Sequence, residues 1–421
     1  MNGYVCEVLV CGGGPGGICA AVSAARNGAD TMLVERYGFL GGMATAGLVF
    51  PFMTRFAGGE RIIDGVFQEL IERLDAKGGY GGPDRPYMFD LEAMKIVADE
   101  ICIESGVRLL LHTSVCGAEV AGERISRVLI HNKSGEQAVK ASVFVDATGD
   151  ADVAYLAGVP CEKGRASDGL TQPMTLNFRM AGVERSIMPT QADFNKLYLA
   201  ARSEGRIDCP RNDVLHFATM RPDEVHFNTT RIIRADATSA EDLTRAEIDS
   251  RRQVMQFVAW LTSDVPGFAS AYLQMTGAQI GIRESRRIVG EYVLTADDLL
   301  SARKFEDCIA RGSYPVDIHD PDGGGTVIKR LAEGESYDIP YRSLVPKGID
   351  NLLVAGRPIS ATHEAHSAVR VMPIAAAIGE AAGAAAALCV RHDTTPRELD
   401  VTKLRQVLVA QGANLGPATE D

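Results

Sequence analysis

Residues Val8–Arg36, VLVCGGGPGGICAAVSAARNGADTMLVER, limit the fold more than any other stretch of the chain. A β-branched apolar run, EVLVC, stops at Gly12-Gly13-Gly14-Pro15-Gly16-Gly17. A small-residue helix, ICAAVSAARNG, then runs to Gly28, and TMLVE reads as a second strand. In the spacing Gly12-x-Gly14-x-x-Gly17, the first glycine permits the tight turn and the second lets a pyrophosphate reach the backbone. The third lets helix pack on strand, and phosphate charge then sits at the helix N-terminus beside Pro15. Glu35, eighteen residues after Gly17, is placed to accept a ribose hydroxyl. Strand, turn, helix, strand and terminal acid in this order predict a dinucleotide-binding unit. The pattern alone leaves NAD, FAD and an incidental glycine turn open.

Three further stretches favour the longer cofactor. RYGFLGGMATAG (Arg36–Gly47) holds a second glycine patch, Gly41-Gly42, followed by Met43, Ala44 and Thr45, small or hydroxyl-bearing apart from the methionine. DATGDAD (Asp146–Asp152) ends an apolar strand with Gly149 and Asp150 at its tip. NLLVAGRPIS (Asn351–Ser360) ends another on Ala355-Gly356 and leads toward a helix. Each brings backbone close to a nucleotide at a strand end, and together they point to FAD.

The rest of the chain reads as ordinary globular protein. Its 421 residues suit two or three compact domains, and the charge of -12 argues against nucleic acid or an anionic membrane as the main partner. Helical spacing covers Ile62–Gly79 and Asp90–Gly106, the latter opening on an N-cap aspartate. Short alternating strands from Val107 to Val145 predict an antiparallel meander that returns to a parallel strand. Nine dispersed cysteines without a C-x-x-C pair read as reduced thiols, and no metal site is expected. The few residues before the glycine turn leave no room for a secretion signal, so the expected location is the cytoplasm. VMPIAAAIGEAAGAAAALCV (Val371–Val390) is long enough to resemble a membrane helix, with Gly379-x-x-x-Gly383 as a packing motif. Glu380 in its middle and its alanine content favour a buried helix and no membrane span.

The order of glycine turn, E-R-x-G-x-x-G-G-x-A-T, A-T-G-D and L-L-V-A-G-R with AVRVMPIAAAIGEAAGAAA resembles the FAD-dependent oxidoreductases of the glutathione-reductase-type fold. More narrowly, it resembles the family related to fumarate reductase flavoproteins and to the flavin subunit of heterodisulfide reductase, as does GIRESRRIVGEYVL (Gly281–Leu294). The resemblance covers roughly residues 5–160 and 340–395. It implies an α/β fold: a Rossmann-like FAD-binding domain, with parallel sheet and antiparallel meander, from 1–164 and 340–421, plus an inserted α+β substrate domain at 165–339. It implies that Gly12, Gly14, Gly17, Glu35, Arg36, Gly42 and Thr45 line the ADP and ribityl parts of FAD, with Gly149 and Asp150 nearby. Arg357 and the helix start at Val371–Ala376 would sit beside the pyrophosphate and the isoalloxazine. The expected cofactor set also takes in Pro15, Met43, Ala44, Val115, Gly356, Arg370, Pro373 and Ala375. Departures narrow this further. No histidine stands near the second glycine patch, so FAD is expected to be held non-covalently. Arg357 replaces the aspartate usual after the late Ala-Gly in aromatic hydroxylases, and no second dinucleotide motif follows a strand.

A flavin supplies hydride chemistry, while the protein orients a substrate and manages a proton. ISATHEAHSAVR (Ile359–Arg370) places His363, Glu364, His366 and Arg370 within reach of the active-site face, with one of the two histidines as the proton carrier. GIRESRRIVGEY offers Arg283 and Arg287, whose forks suit a carboxylate, against the plainer reading of a salt-bridge network. HFNTTRI and YPVDIHD add His226, Arg231 and His319, and Tyr337, Tyr341 and Arg342 are placed to wall the cavity. The expected activity is hydride transfer between a small polar substrate and FAD, with arginine orientation and histidine proton transfer. Electrons would pass on to oxygen or a separate carrier, and a homo-oligomer is compatible. An electron-relay subunit, a reductase and a non-redox flavoenzyme stay open as alternatives.

Overall fold

The computed structural model describes residues 3–417. Its centre is a five-stranded parallel sheet in the order Leu352–Val354, Val143–Asp146, Val8–Cys11, Thr31–Val34, Arg108–Leu110. The first four of these strands are short runs of mostly β-branched and other apolar residues, buried along their whole length, as parallel strands covered on both faces must be. The chain builds outward from Val8–Cys11 in one direction, then returns to add Val143–Asp146 and Leu352–Val354 on the other side. The boundary between Val8–Cys11 and Val143–Asp146 is therefore a switch point, where a crevice opens beyond the carboxyl ends of the strands.

The expected meander forms from Ser114–Ala121, Arg124–Asn132 and Gly135–Lys140. The last of these and a parallel pairing with Gly3–Val5 were not anticipated, because both segments are short and carry no apolar alternation. The helices stop two or three residues before their expected ends, at Pro15–Arg26, Gly65–Ala76 and Leu91–Glu104. Asp90 caps the third, accepting hydrogen bonds from the amides of Glu92 and Ala93 at 2.9 and 3.0 Å.

The alanine-rich helix, Met372–His392, is the one described helix long and apolar enough to cross a membrane, and 89% of its apolar window is buried inside the fold. It lies against Pro15–Arg26, where a methyl on Gly379 would fall on the Gly16 carbonyl and one on Gly383 on the Ala20 carbonyl. Only glycine permits that backbone approach.

Glu380, on the same helix, accepts a hydrogen bond from the Val66 amide at 3.0 Å, at the start of Gly65–Ala76. Its other oxygen has no partner, and burial pushes the carboxyl from 4.5 up to about 7. A carboxyl raised on folding favours the folded state fully below its unfolded pKa, and that contribution is lost as pH rises through 7. Glu380→Gln keeps an acceptor for Val66 and cannot ionise. Denaturant unfolding should show the variant more stable than wild type at pH 8, by on the order of 3 kcal/mol at 1.36 kcal/mol per pKa unit. The two should converge near pH 4.5. Equal stabilities at pH 8 would sink the argument.

A second hydrophobic core, spanning Met174–Ile282, belongs to a four-stranded antiparallel sheet and its helices Gln191–Ser203 and Ala240–Asp264. Phe178, Phe227, Phe257 and Trp260 fill it. This core is narrower than the segment 165–339 expected as the insert. Leu294, Leu299, Phe305, Ile309, Tyr337 and Ile339 pack instead into the main core. The reason is the fully buried strand Cys308–Gly312, which pairs with Tyr337–Pro340 and lies on the alanine-rich helix.

Candidate functional site

A cavity of about 490 Å³ starts at the switch point and runs from the glycine turns to the inner face of the second core. At its first end, Gly12, Gly14, Pro15 and Gly16 line the wall with Glu35, Arg36, Gly42 and Met43. Glu35 receives the Gly13 amide at 2.6 Å and the Tyr37 amide at 3.0 Å, so its carboxylate holds the turn as well as facing the cavity. A methyl on Gly14 would meet nothing closer than Gly42 Cα at 3.9 Å, which leaves that face open for a ligand. Arg36 reaches Gln279 at 2.7 Å.

Thr148-Gly149 and Gly356-Arg357 close the middle. Asp146 fixes the first of these turns, accepting from the Thr148 amide and hydroxyl and from the Ala154 amide, while burial pushes its carboxyl up to about 6. Arg357 donates to the Gly149 carbonyl at 2.7 Å and to Asp150 at 2.6 Å, tying the two turns together. Two helix N-termini open on this part of the cavity, at Gly14–Gly16 and at Val371–Met372, neither with a side-chain cap. Their partial positive charge suits a pyrophosphate and an anionic ring edge. The donor set, the open glycine face and the two uncapped helix starts fit FAD.

The far end combines polar and apolar lining. Arg283 donates to the Pro173 carbonyl at 2.8 Å, Thr175 Oγ1 at 2.6 Å and Asn228 Oδ1 at 3.0 Å. Arg370 reaches Gln172 Oε1 at 3.3 Å, while its Nε and the Gln172 Nε2 have no partner. Tyr314 donates its hydroxyl hydrogen to Asp317 at 2.9 Å, and His319 Nε2 lies 3.6 Å from the same carboxylate. Burial works to raise Asp317, but His319, Arg370 and Tyr314 outweigh it and hold the carboxyl well below its ordinary range. His319 Nδ1 faces Arg231 at 3.0 Å and Thr326 at 3.2 Å. A guanidinium can only donate, so Nδ1 is the acceptor and the ring is neutral. Burial, then the charge of Arg283, push His319 down to about 3. Phe50, Leu215 and Phe217 add apolar lining, and Ile328 stands directly across from Asp317 where Val316–His319 pairs with Thr326–Lys329.

Of the residues expected from sequence, the cavity gathers Gly12, Gly14, Pro15, Glu35, Arg36, Gly42, Met43, Gly149, Gly356, Arg357, Arg370, Ala375, Arg283 and His319. Gly17 lies beneath the turn, where a methyl would overlap the Gly12 carbonyl. Asp150 acts through Arg357. Thr45 braces its own turn through the Leu40 carbonyl at 2.7 Å. Ala44 and Pro373 are buried behind the wall, and Val115 pairs with Ile130 in the meander.

The expected proton carriers need correction. His363 Nδ1 bonds Glu284 at 2.9 Å, and Glu284 also holds Arg287, whose remaining bonds reach the Ala361 and Gly164 carbonyls. His366 Nε2 donates to the Arg357 carbonyl at 3.0 Å, and burial drives its pKa well down. His363, His366 and Arg287 all lie outside the cavity lining, the two histidines because their helix, His363–Val369, turns them toward Glu284 and the Arg357 carbonyl. Glu364 is exposed. Tyr337, Tyr341 and His226 are buried off the lining, and Arg342 pairs with Asp307. Sequence reasoning did not single out Tyr314, Asp317, Gln172, Asn177 or Arg211. A signal existed for one of them: Asp317 stands two residues before the expected His319 on one strand and so shares its face. No metal-binding cluster of His, Cys, Asp and Glu occurs among the described residues.

The profile of one family, FAD dependent oxidoreductase, matches residues 7–408. A digeranylgeranylglycerophospholipid reductase of Methanococcus aeolicus is 26% identical over 168 residues, 37% of this chain and 41% of that protein. A thiamine thiazole synthase of Methanococcus vannielii is 28% identical over 159 residues, 35% of this chain and 58% of that protein. The chain thus matches about half the length of these relatives. Among solved structures, a geranylgeranyl bacteriochlorophyll reductase-like protein from Thermoplasma acidophilum superposes with TM-score 0.50 at 13% identity, covering 98% of this chain and 85% of that one. A flavin-dependent brominase does so with TM-score 0.50 at 14% identity, over 97% and 83%. At these identities the likeness is one of fold.

Proposed function

Because this chain belongs to the FAD dependent oxidoreductase family, we propose that its cavity holds FAD at the glycine end and oxidises a small polar substrate at the far end. Family membership makes FAD the cofactor. Gly12, Gly14, Glu35, Arg36 and Gly42 would hold its ADP half, Gly149 and Arg357 its pyrophosphate, and the helix start at Val371–Ala375 its ring system. One observation carries the reading: a continuous cavity joins the dinucleotide turn to a cluster of arginines, a tyrosine and a carboxylate. Held there, FAD would supply hydride transfer.

The protein's own groups do the rest. Arg283 and Arg370 orient the substrate by donating hydrogen bonds. Oxidation of a C–H carbon bearing O–H or N–H releases a hydride and a proton, and Asp317 receives the proton with Tyr314 hydrogen-bonded to it. Arg231 keeps His319 neutral, so this ring steadies Asp317 rather than taking the proton itself. The apolar wall and the second core limit water at the reacting atoms.

An absorption spectrum of the purified protein tests the cofactor assignment, and anaerobic substrate addition tests the reaction. The expected protein is yellow, releases FAD into the filtrate on denaturation, and loses its visible flavin bands when a substrate is added without oxygen. A colourless protein that takes up NAD(H) but not FAD would overturn the reading.

A further inference from the structure

We propose that the far end of the cavity selects an organic monocarboxylate with an apolar or aromatic body. This rests on the reading of that end as the substrate site. The first argument is charge. Arg283 and Arg370 line the cavity, and every hydrogen-bond partner of theirs is neutral: a main-chain carbonyl, a threonine hydroxyl and two side-chain amides. Arg211, by contrast, already holds Asp213 at 2.7 Å. Among the described residues at this end, Asp317 is then the one lining carboxylate without its own arginine, set against these two unpaired guanidiniums, leaving one positive charge for a ligand to balance.

Desolvation sharpens the argument. Arg283 is enclosed except where it meets the cavity, and burial, then the charge of Arg370, lowers its pKa well below the ordinary arginine value. A guanidinium kept in such a place without a counter-charge is costly, and an anion arriving in the cavity relieves that cost. The Arg370 Nε, which has no partner, and the forked geometry of both side chains suit the two oxygens of a carboxylate.

The second argument is the apolar lining. Phe50, Leu215 and Phe217 line the same cavity, and Arg211, the cation on the segment of the last two, is already paired. A second carboxylate there would lose its hydration and gain nothing, whereas a ring or branched chain would bury apolar surface. The site therefore favours one charged end and one apolar end over a small dicarboxylate.

The test uses the flavin-loaded protein and reads the change in its flavin absorption on titration. The probes are benzoate, the neutral isostere benzamide and the dicarboxylate succinate. Benzoate should give a saturable difference spectrum, with benzamide and succinate each at least tenfold weaker. Arg283→Gln should weaken benzoate at least tenfold with flavin content unchanged, and Arg283→Lys should recover part of the loss. If Arg283→Gln lowers flavin content, Arg370→Gln gives the same reading. Benzamide binding as well as benzoate would overturn the anion argument. Succinate binding as well would overturn the apolar one. A flavin-loaded protein that responds to none of the three would overturn the proposal outright, whereas a protein without flavin would instead overturn the functional reading beneath it.

Discussion

Replacing Gly383 with leucine is expected to cost the protein more than 3 kcal/mol, roughly the upper end for overpacking a core, and most of its soluble yield. The added side chain would start from a Cβ that overlaps the Ala20 carbonyl, and that carbonyl belongs to a helix buried on nearly every face. Neither backbone can yield locally, since both partners are helices with their hydrogen bonds made. The only relief is to separate Met372–His392 from Pro15–Arg26. That displacement carries the Gly12–Gly17 turn at the head of the first helix, and the main core packed around both helices, with it. A loss of this size consumes much of the 5–15 kcal/mol that holds a domain folded. Gly383→Ala should show the same defect in milder form, and thermal unfolding should rank wild type, alanine, leucine. An unchanged melting temperature for the leucine variant would refute the close approach.

Asp317→Asn is expected to lower kcat on any substrate that bleaches the flavin by about 10²-fold, the low end for a positioned proton acceptor, because a carboxylate held this far down is a weak base. Flavin content should stay at wild-type level, because Asp317 lies at the far end of the cavity. The amide is nearly isosteric and still accepts the Tyr314 hydroxyl, so its defect reports lost basicity rather than lost shape. The pH profile separates Asp317 from a histidine base. Asp317 is held well below the ordinary carboxylate range and His319 is pushed down to about 3. Both groups keep their protonation state through neutral pH. The wild-type kcat/KM should therefore show no acid limb near pH 6.5, where an unperturbed histidine would titrate. A limb at that pH, or full activity of Asp317→Asn, would remove Asp317 from the role.

Much of the cofactor half was legible in the residues. Gly12, Gly14, Glu35, Gly42, Gly149 and Gly356 were all found from short motifs at strand ends, and all line the cavity. The histidine assignments fared differently. His363 and His366 lie in a segment rightly placed between the late strand and the alanine-rich helix, yet a seven-residue helix turns them toward Glu284 and the Arg357 carbonyl. Nothing in H-E-A-H encodes that rotation. GIRESRRIVGEY was equally divided: Arg283 faces the cavity, while Arg286 and Arg287, three and four residues on, hold Asp152 and Glu284.

The sequence by itself determined the glycine-turned β-α-β unit, the parallel sheet, the buried alanine-rich helix and the cofactor class. These depend on local rules, in which backbone approach requires glycine and burial on two faces requires unbroken apolar strands. Only the tertiary structure decided the far end of the cavity. Phe50, Gln172, Arg211, Arg283, Asp317 and Arg370 come from six separate segments and meet when the second core closes over the switch point. Their chemistry depends on which guanidinium finds a carboxylate and which does not. That pairing is set by distances through space, and no spacing along the chain records it.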